Sequence, residues 1–372
     1  MSIKKYIANK DNTITNAFKE NLQTRAEDAN MGASDIIEVF SIYGQATTSS
    51  AEQARIIIEF PISQIAADRS DSKIPASGSV NFVLKLTNAE HSSTTPSSFT
   101  LNVGAISNSW SEGTGLDMEG YTDTGASNWV SRSLGLTWGA SGGDVLSGQY
   151  LKDVVFDSGT ENLELDISNI VEDWIDGTIN QYGLLIKLSG SAENVIGGVD
   201  PIAKKSYYTK KFFARQSQYF FKRPIIEARW DNSSLGSGSL PDPYVRADEY
   251  IYNITNLKSS YKAYENITFK VNTRKKDWQP NIYTVATNKA PTDLVDETYY
   301  KIRRVADNHV VINYSTASTP SYSKLSYNAT GSYFDFNMSN LEPNYLYEIS
   351  FLRKNENNYI EQKEKFKFRV DP

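Results

Sequence analysis

The chain has 372 residues, 39% hydrophobic and 22% charged: too long for one ordinary sandwich, apolar enough for a real core and too weakly charged for wholesale disorder. Its net charge of −6 divides into −8 before Asn232 and +2 from there on, so neither half has the concentrated positive field of a nucleic-acid binder. The absence of cysteine excludes disulfides, thiolate metal sites and cysteine nucleophiles, and 23 tyrosines with 16 phenylalanines favour pleated structure.

Residues 1–18 carry three lysines but no apolar run of the kind a Sec signal needs, and no 18-residue apolar stretch follows anywhere. A protein made and kept in a cytoplasm is expected. Period-2 patterning then predicts strands at Ala54–Phe60, Ser79–Leu86, Ser98–Ile106, Leu163–Ile167 and Tyr182–Leu188, separated by Ser/Thr/Gly loops. Gly113–Gly148 is rich in glycine and reads as long loops around one or two short strands. One short helix is predicted after Ser168, whose hydroxyl is placed to cap it. Ile170, Val171, Trp174 and Ile175 share its apolar face, Glu172 and Asp173 lie toward its positive end, and Gly177 suits the left-handed stop.

Asp231–Pro243 (DNSSLGSGSLPDP) reads as a linker, dividing the chain into domains at 1–230 and 244–372. The second domain resumes the β pattern with seven expected strands: Tyr250–Leu257, Asn266–Thr273, Thr298–Val305, His309–Ser315, Tyr333–Met338, Tyr345–Arg353 and Lys363–Val370. That count suits an immunoglobulin-like sandwich. Leu341–Tyr347 (LEPNYLY) resembles the turn and tyrosine that lead into the sixth strand of fibronectin type III domains.

Across the first 230 residues, short motifs follow one another in a family order. Asp11-Asn12-Thr13-Ile14 comes first, then Asn30-Met31-Gly32, then Arg55 to Phe60 with Pro61 where the family has Asp. Trp110-Ser111-Glu112-Gly113, Thr137-Trp138, the helix signature from Asp166 to Gly177, and Tyr182–Ile186 follow. Phe213-Ala-Arg-Gln and Pro224–Trp230 close the series. This order resembles the DNRLRE family of β-sandwich domains, related to carbohydrate-binding modules. The resemblance implies a large jelly-roll-like sandwich that adheres, stacks or binds polysaccharide. The lysine- and aromatic-rich segment Lys205–Trp230 resembles structural proteins of marine, T4-like tailed bacteriophages. Virions assemble in the host cytoplasm, which accommodates the missing signal peptide.

The residues offer little for catalysis. The two histidines, His91 and His309, fall in different domains, so a Ser-His-Asp triad or a His-rich metal site has no material. Glu164 and Asp166 share one face of a strand, opposite Leu163, Leu165 and Ile167, which is the pattern of a solvated sheet face. Asp11, Asn12 and Asn30, or Asp117, Glu119 and Asp123, could offer oxygens to calcium, but their spacing favours turn-forming roles. No catalytic, cofactor-binding or metal-binding residue is therefore expected. Trp110, Trp138, Trp174 and Trp230 are expected to pack the core, whereas Trp129 and Trp278 lie in polar contexts and are expected as exposed contact residues. The basic stretch from Lys204 to Arg223 is expected to form a structural edge.

Together these features predict an all-β, non-enzymatic virion structural protein of a tailed phage, in the capsid decoration, the neck, or the tail and its fibres. Its expected partners are other virion proteins and further copies of itself, with no nucleic acid and no membrane. Two alternatives are kept: an adhesin module for cell-surface polysaccharide, and a polysaccharide-degrading enzyme.

Overall fold

The computed structural model describes residues 2–47, 50–92, 97–190, 192–193, 206–236, 250–280, 282, 292–316, 320–355 and 358–372. Much of the expected linker, from residue 237 on, lies outside them. The chain forms two compact units. One comprises Lys5–Ile74 and Phe82–Glu227; the other comprises Met1–Lys4, Pro75–Asn81 and Ala228–Pro372.

The first unit is a two-sheet sandwich. Its strands are β1 (Ile3–Ile7), β2 (Lys10–Thr15), β3 (Ile36–Tyr43), β4 (Ala51–Glu59), β5 (Asn81–Leu86), β6 (Phe99–Ala105), β7 (Ser131–Ser133), β8 (Leu136–Thr137), β9 (Leu151–Phe156), β10 (Leu163–Asp166), β11 (Leu184–Leu188), β12 (Tyr207–Phe213) and β13 (Ile225–Arg229). One sheet runs β1-β13-β5-β10; the other runs β12-β3-β4-β11-β6-β9, with β2 also paired to β4. The run Ile56-Ile57-Ile58 makes β4 a strand covered on both faces, and all three isoleucines are fully buried. On β10, Glu164 and Asp166 are exposed while Leu163 is buried, as alternation predicts.

Two helices pack against each other, where the sequence predicts one: α1 (Ile62–Ser70) and α2 (Ser168–Ile175). Pro61, at the position where the family pattern has Asp, stands just before α1, and its carbonyl accepts from the Gln64 and Ile65 N–H groups. The α1 face is apolar only at Ile62 and Ile65, too sparse a signal to stand out from the strand before it. Asp68 of α1 is buried and accepts from the Tyr6 hydroxyl at 2.9 Å. α2 buries Ile170, Val171 and Trp174 as its spacing requires, and Gly177 takes the left-handed conformation beyond it. Ser168 does not cap α2. Its hydroxyl instead accepts from the Phe82 N–H at 2.8 Å, pinning the helix to β5. Nor does Glu172 serve only the helix dipole, because it makes a two-bond pair with Arg69 of α1 at 2.5 and 2.7 Å.

The second unit is an immunoglobulin-like sandwich. Its strands are β14 (Tyr250–Ile254), β15 (Ser260–Lys262), β16 (Asn266–Lys275), β17 (Thr298–Arg304), β18 (Val310–Ile312), β19 (Ser326–Asn328), β20 (Gly331–Asn337), β21 (Leu346–Asn355), β22 (Asn358–Glu361) and β23 (Phe366–Asp371). One sheet runs β14-β16-β20-β19 and the other β15-β23-β21-β17-β18, with β22 as a hairpin on β21. These orders match the A-B-E-D and G-F-C layers of the immunoglobulin fold. β15 joins the second sheet by pairing parallel to β23. The high aromatic content is spent between the layers: Tyr300 stacks on Phe334 at 4.1 Å, Phe334 on Phe269 at 5.1 Å, and Tyr252 on Phe351 at 5.5 Å.

The expected tyrosine corner is built by Tyr347. Its ring is fully buried, and its hydroxyl donates to the Glu342 carbonyl at 2.8 Å. Burial pushes this hydroxyl up, away from ionisation, and outweighs the opposing pull of the Arg304 guanidinium. Tyr347→Phe removes one partly buried hydrogen bond and no packing. It is expected to cost about 1–2 kcal/mol in urea unfolding, and an unchanged midpoint would show that the bond holds nothing.

Candidate functional site

Directly paired residues of neighbouring strands share a face. Ile14 (opposite Arg55) and Leu185 (opposite Ile57) therefore put β2, β4 and β11 side chains on one surface of the seven-stranded sheet. The long loop from Ile106 to Val145 folds back over this surface. Trp110, Trp129 and Trp138 close on Ile14, Ile57, Ile106 and Leu185 to form a second small core. The sequence placed Trp129 on the surface. It is only 5% exposed, because its polar neighbours in the chain say nothing about the aliphatic residues that meet it from other strands. The Arg55 guanidinium lies over its ring at 5.0 Å and pairs with Glu193 at 2.7 Å. Gly142, left-handed, passes so close that a Cβ there would stand 2.7 Å from both Trp129 and Arg55. Trp278, the other expected contact residue, is half-buried in the turn after β16.

The scattered motif residues meet in a polar knot beside this core. The Asn30 amide donates to the Glu112 and Ser127 carbonyls, at 2.7 and 2.9 Å, and its oxygen accepts from the Gly32 and Gly115 N–H groups. Asn12 donates to the Ser127 carbonyl and hydroxyl, both at 2.9 Å, and accepts from the Met31 N–H at 3.0 Å. Arg215 grips Glu112 through two nitrogens, and Glu112 in turn accepts from the Asp11 N–H. The knot leaves no room for side chains at its glycines: a Cβ at Gly115 would fall 1.9 Å from the Asn30 carbonyl oxygen. Asp11, only 1% exposed, accepts from the Arg215 N–H through Oδ2, whereas its Oδ1 has no hydrogen-bond partner. Burial pushes this carboxyl up to about 7. The alternative oxygen set is also spent on turns, since Asp117 accepts from the Glu119 and Gly120 N–H groups.

What the core and the knot hold out is the β7–β8 hairpin. Trp138 donates its ring N–H to the Asn128 carbonyl at 2.9 Å, and Asn128 accepts from the Val130 and Ser131 N–H groups. Gly135, left-handed, makes the turn. Val130, Leu134 and Leu136 project from this braced hairpin, and Leu134 is 71% exposed. Beside it lies a polar cleft of about 270 Å³ bordered by Asp28, Asp123, Asn128, Ser131 and Ser133. Sequence reasoning expected one or two short strands within Gly113–Gly148, as β7 and β8 are, but did not pair them as a hairpin, although Ser131–Thr137 (SRSLGLT) carries a weak hairpin signal around Gly135.

The basic stretch is largely engaged within the fold, and Lys204 and Lys205 lie outside the described residues. Lys210 is buried, donating to Asn88 Oδ1 and to the Gly159 and Glu161 carbonyls, with the Phe156 and Phe212 rings beside it. Burial brings its ammonium down to about 8. Lys211 pairs with Glu38, and Lys222 lies over Phe213. β12, which carries Lys210 and Lys211, is terminal in the seven-stranded sheet.

No protein-family model matches the chain, and no curated protein matches it. Among solved structures, it is similar to a DUF4785 family protein from Legionella pneumophila, at 9% identity and a TM-score of 0.19. The match covers 99% of this chain and 65% of that one. Among the described residues, no helix is long and apolar enough to cross a membrane.

Proposed function

We propose that this protein is a non-enzymatic structural protein of a tailed-phage particle, in the capsid decoration, neck, tail or fibres, and that it grips neighbouring subunits or further copies of itself. The observation that carries this reading is the braced hairpin. Three aliphatic side chains are exposed on a loop that is tied down by its buried tryptophans, by Asn128 and by the close-packed Gly113, Gly115 and Gly142. Exposed apolar groups on a rigid support are the material of an interface, since little conformational freedom remains to be lost on binding. The phage setting rests on the resemblance of Lys205–Trp230 and of the ordered motifs. Trp129 and Trp138 serve as the props of the contact rather than the contact itself.

The experiment is a paired one. Mass spectrometry of purified particles is expected to find the protein, and its absence would end the virion reading. Leu134→Ser with Leu136→Ser changes only exposed groups, so stability is expected to stay within about 0.5 kcal/mol of the parent. Incorporation into particles is expected to drop at least tenfold. A folded double variant that incorporates normally would remove the hairpin from the argument.

A further inference from the structure

The outer face of β16 and β20 carries a second feature, independent of the hairpin. Alternation along β16 points Thr268, Lys270 and Asn272 away from the aromatic core. Lys270 is directly opposite Tyr333 of β20. With Thr255 and the Asn328–Gly331 turn, these residues line an open groove of about 450 Å³. Its groups are unevenly satisfied. Asn272 donates to Thr292 Oγ1 through its amide nitrogen, leaving its oxygen as an acceptor. Asn328 accepts from Thr330 N–H and hydroxyl through its oxygen, leaving its two N–H donors. Lys270 is exposed and, among the described residues, has no carboxylate within ion-pair distance of its ammonium. Asp335, on the same face, accepts from the Thr268 hydroxyl at 2.5 Å.

We infer that this groove binds an acidic saccharide, one bearing carboxylate or sulfate groups. Free amide donors and acceptors, hydroxyls and one tyrosine face match the hydroxyl-rich edges and apolar ring faces of a sugar. The single unpaired ammonium supplies a site for the negative group. A nucleic-acid backbone needs a row of cations along the track, and the groove lining offers one, Lys270, with Asp335 two residues beyond its cross-strand partner and Arg274 farther along β16 outside the lining. A protein partner would look for several apolar anchors, and this groove presents one large ring, that of Tyr333. The inference does not rest on the particle-contact reading, so either can fail while the other stands.

Calorimetric titration of the full chain with three probes tests it: an oligouronate, a sulfated oligosaccharide and a neutral gluco-oligosaccharide. Binding of at least one acidic probe, tenfold or more tighter than the neutral one, is expected. Lys270→Met should remove that preference, and Tyr333→Ala should weaken acidic binding tenfold or more, whereas Tyr333→Phe should retain it. Thermal melts of each variant confirm folding, and both positions can change without opening the core. No binding of either acidic probe overturns the inference, as does equal binding of the neutral one. So does competition by inorganic sulfate at matched charge, which would reduce the groove to an anion site.

Discussion

An Asn30→Ala chain should lose about 3–5 kcal/mol of folding stability. Asn30 is fully buried, and its amide makes four bonds to backbone groups drawn from three separate stretches: Gly32, Glu112 with Gly115, and Ser127. Truncation strands two buried N–H groups and weakens the bonding of two carbonyls, at about 1–3 kcal/mol for each group left unpaired. The Ser127 carbonyl keeps its bond from Asn12, which tempers the total. Urea unfolding followed by tryptophan fluorescence reports mainly on the first unit, which holds Trp110, Trp129, Trp138 and Trp174. A loss under about 1 kcal/mol would mean that the knot is an incidental contact rather than a structural joint.

Asp11 sets a pH dependence of opposite sense to that of most carboxylates. In the folded chain its carboxyl is held at about 7, against 3.8 for the ordinary side chain, with burial as the main cause. The Arg215 N–H and guanidinium pull the other way, and Glu112 reinforces the rise. The folded state therefore binds this proton more tightly than the unfolded state. Stability falls as pH climbs from about 4 to about 7, and above 7 the full penalty is in force. Three pH units correspond to about 4 kcal/mol as an upper bound, and relaxation around the site reduces this to about 1–3 kcal/mol. Asp11→Asn keeps an oxygen for the Arg215 N–H and carries no charge. The variant is expected to be more stable than the parent at pH 8 by about 1–3 kcal/mol, the two curves meeting near pH 4. Parallel curves across that range would place the charge elsewhere.

Many strands were legible from local alternation, although β3 (IIEVFSIY) alternates as regularly and was not among the expected strands. Asn266–Thr273 and Thr298–Val305 were predicted within two residues of β16 and β17, and the tyrosine corner could be read from Leu341–Tyr347. What escaped was decided by partners far along the chain. β2 reads Lys-Asp-Asn-Thr-Ile-Thr, too polar for a buried strand by pattern, yet Asp11 to Thr15 are all buried. Asp11 and Asn12 bond to Arg215 and Ser127, more than a hundred residues away, while Thr13 and Thr15 bond to Glu38 and Gln53. The same distance hid Trp129, whose burial is supplied by β2, β4 and β11. Asp11, Asn12, Asn30, Glu112 and Arg215 of the knot fall within the quoted motif stretches, but no spacing rule could say that they meet, or that the braced hairpin is what they hold out. Ser168 illustrates the reverse error: a local capping rule was outbid by a backbone N–H of β5.

The parallel pairing of β15 with β23 bears on how the second unit answers force. The Arg369 N–H donates to the Ser259 carbonyl and the Ala263 N–H to the Asp371 carbonyl, both at 2.9 Å. β15 lies near the start of the unit's main segment and β23 near its end. Tension drawn along the chain across the sandwich would pull these two strands in opposite directions along their length. Their cross-links then take the load together, sideways, instead of opening one after another as at the end of a hairpin. Such a patch yields reluctantly and all at once.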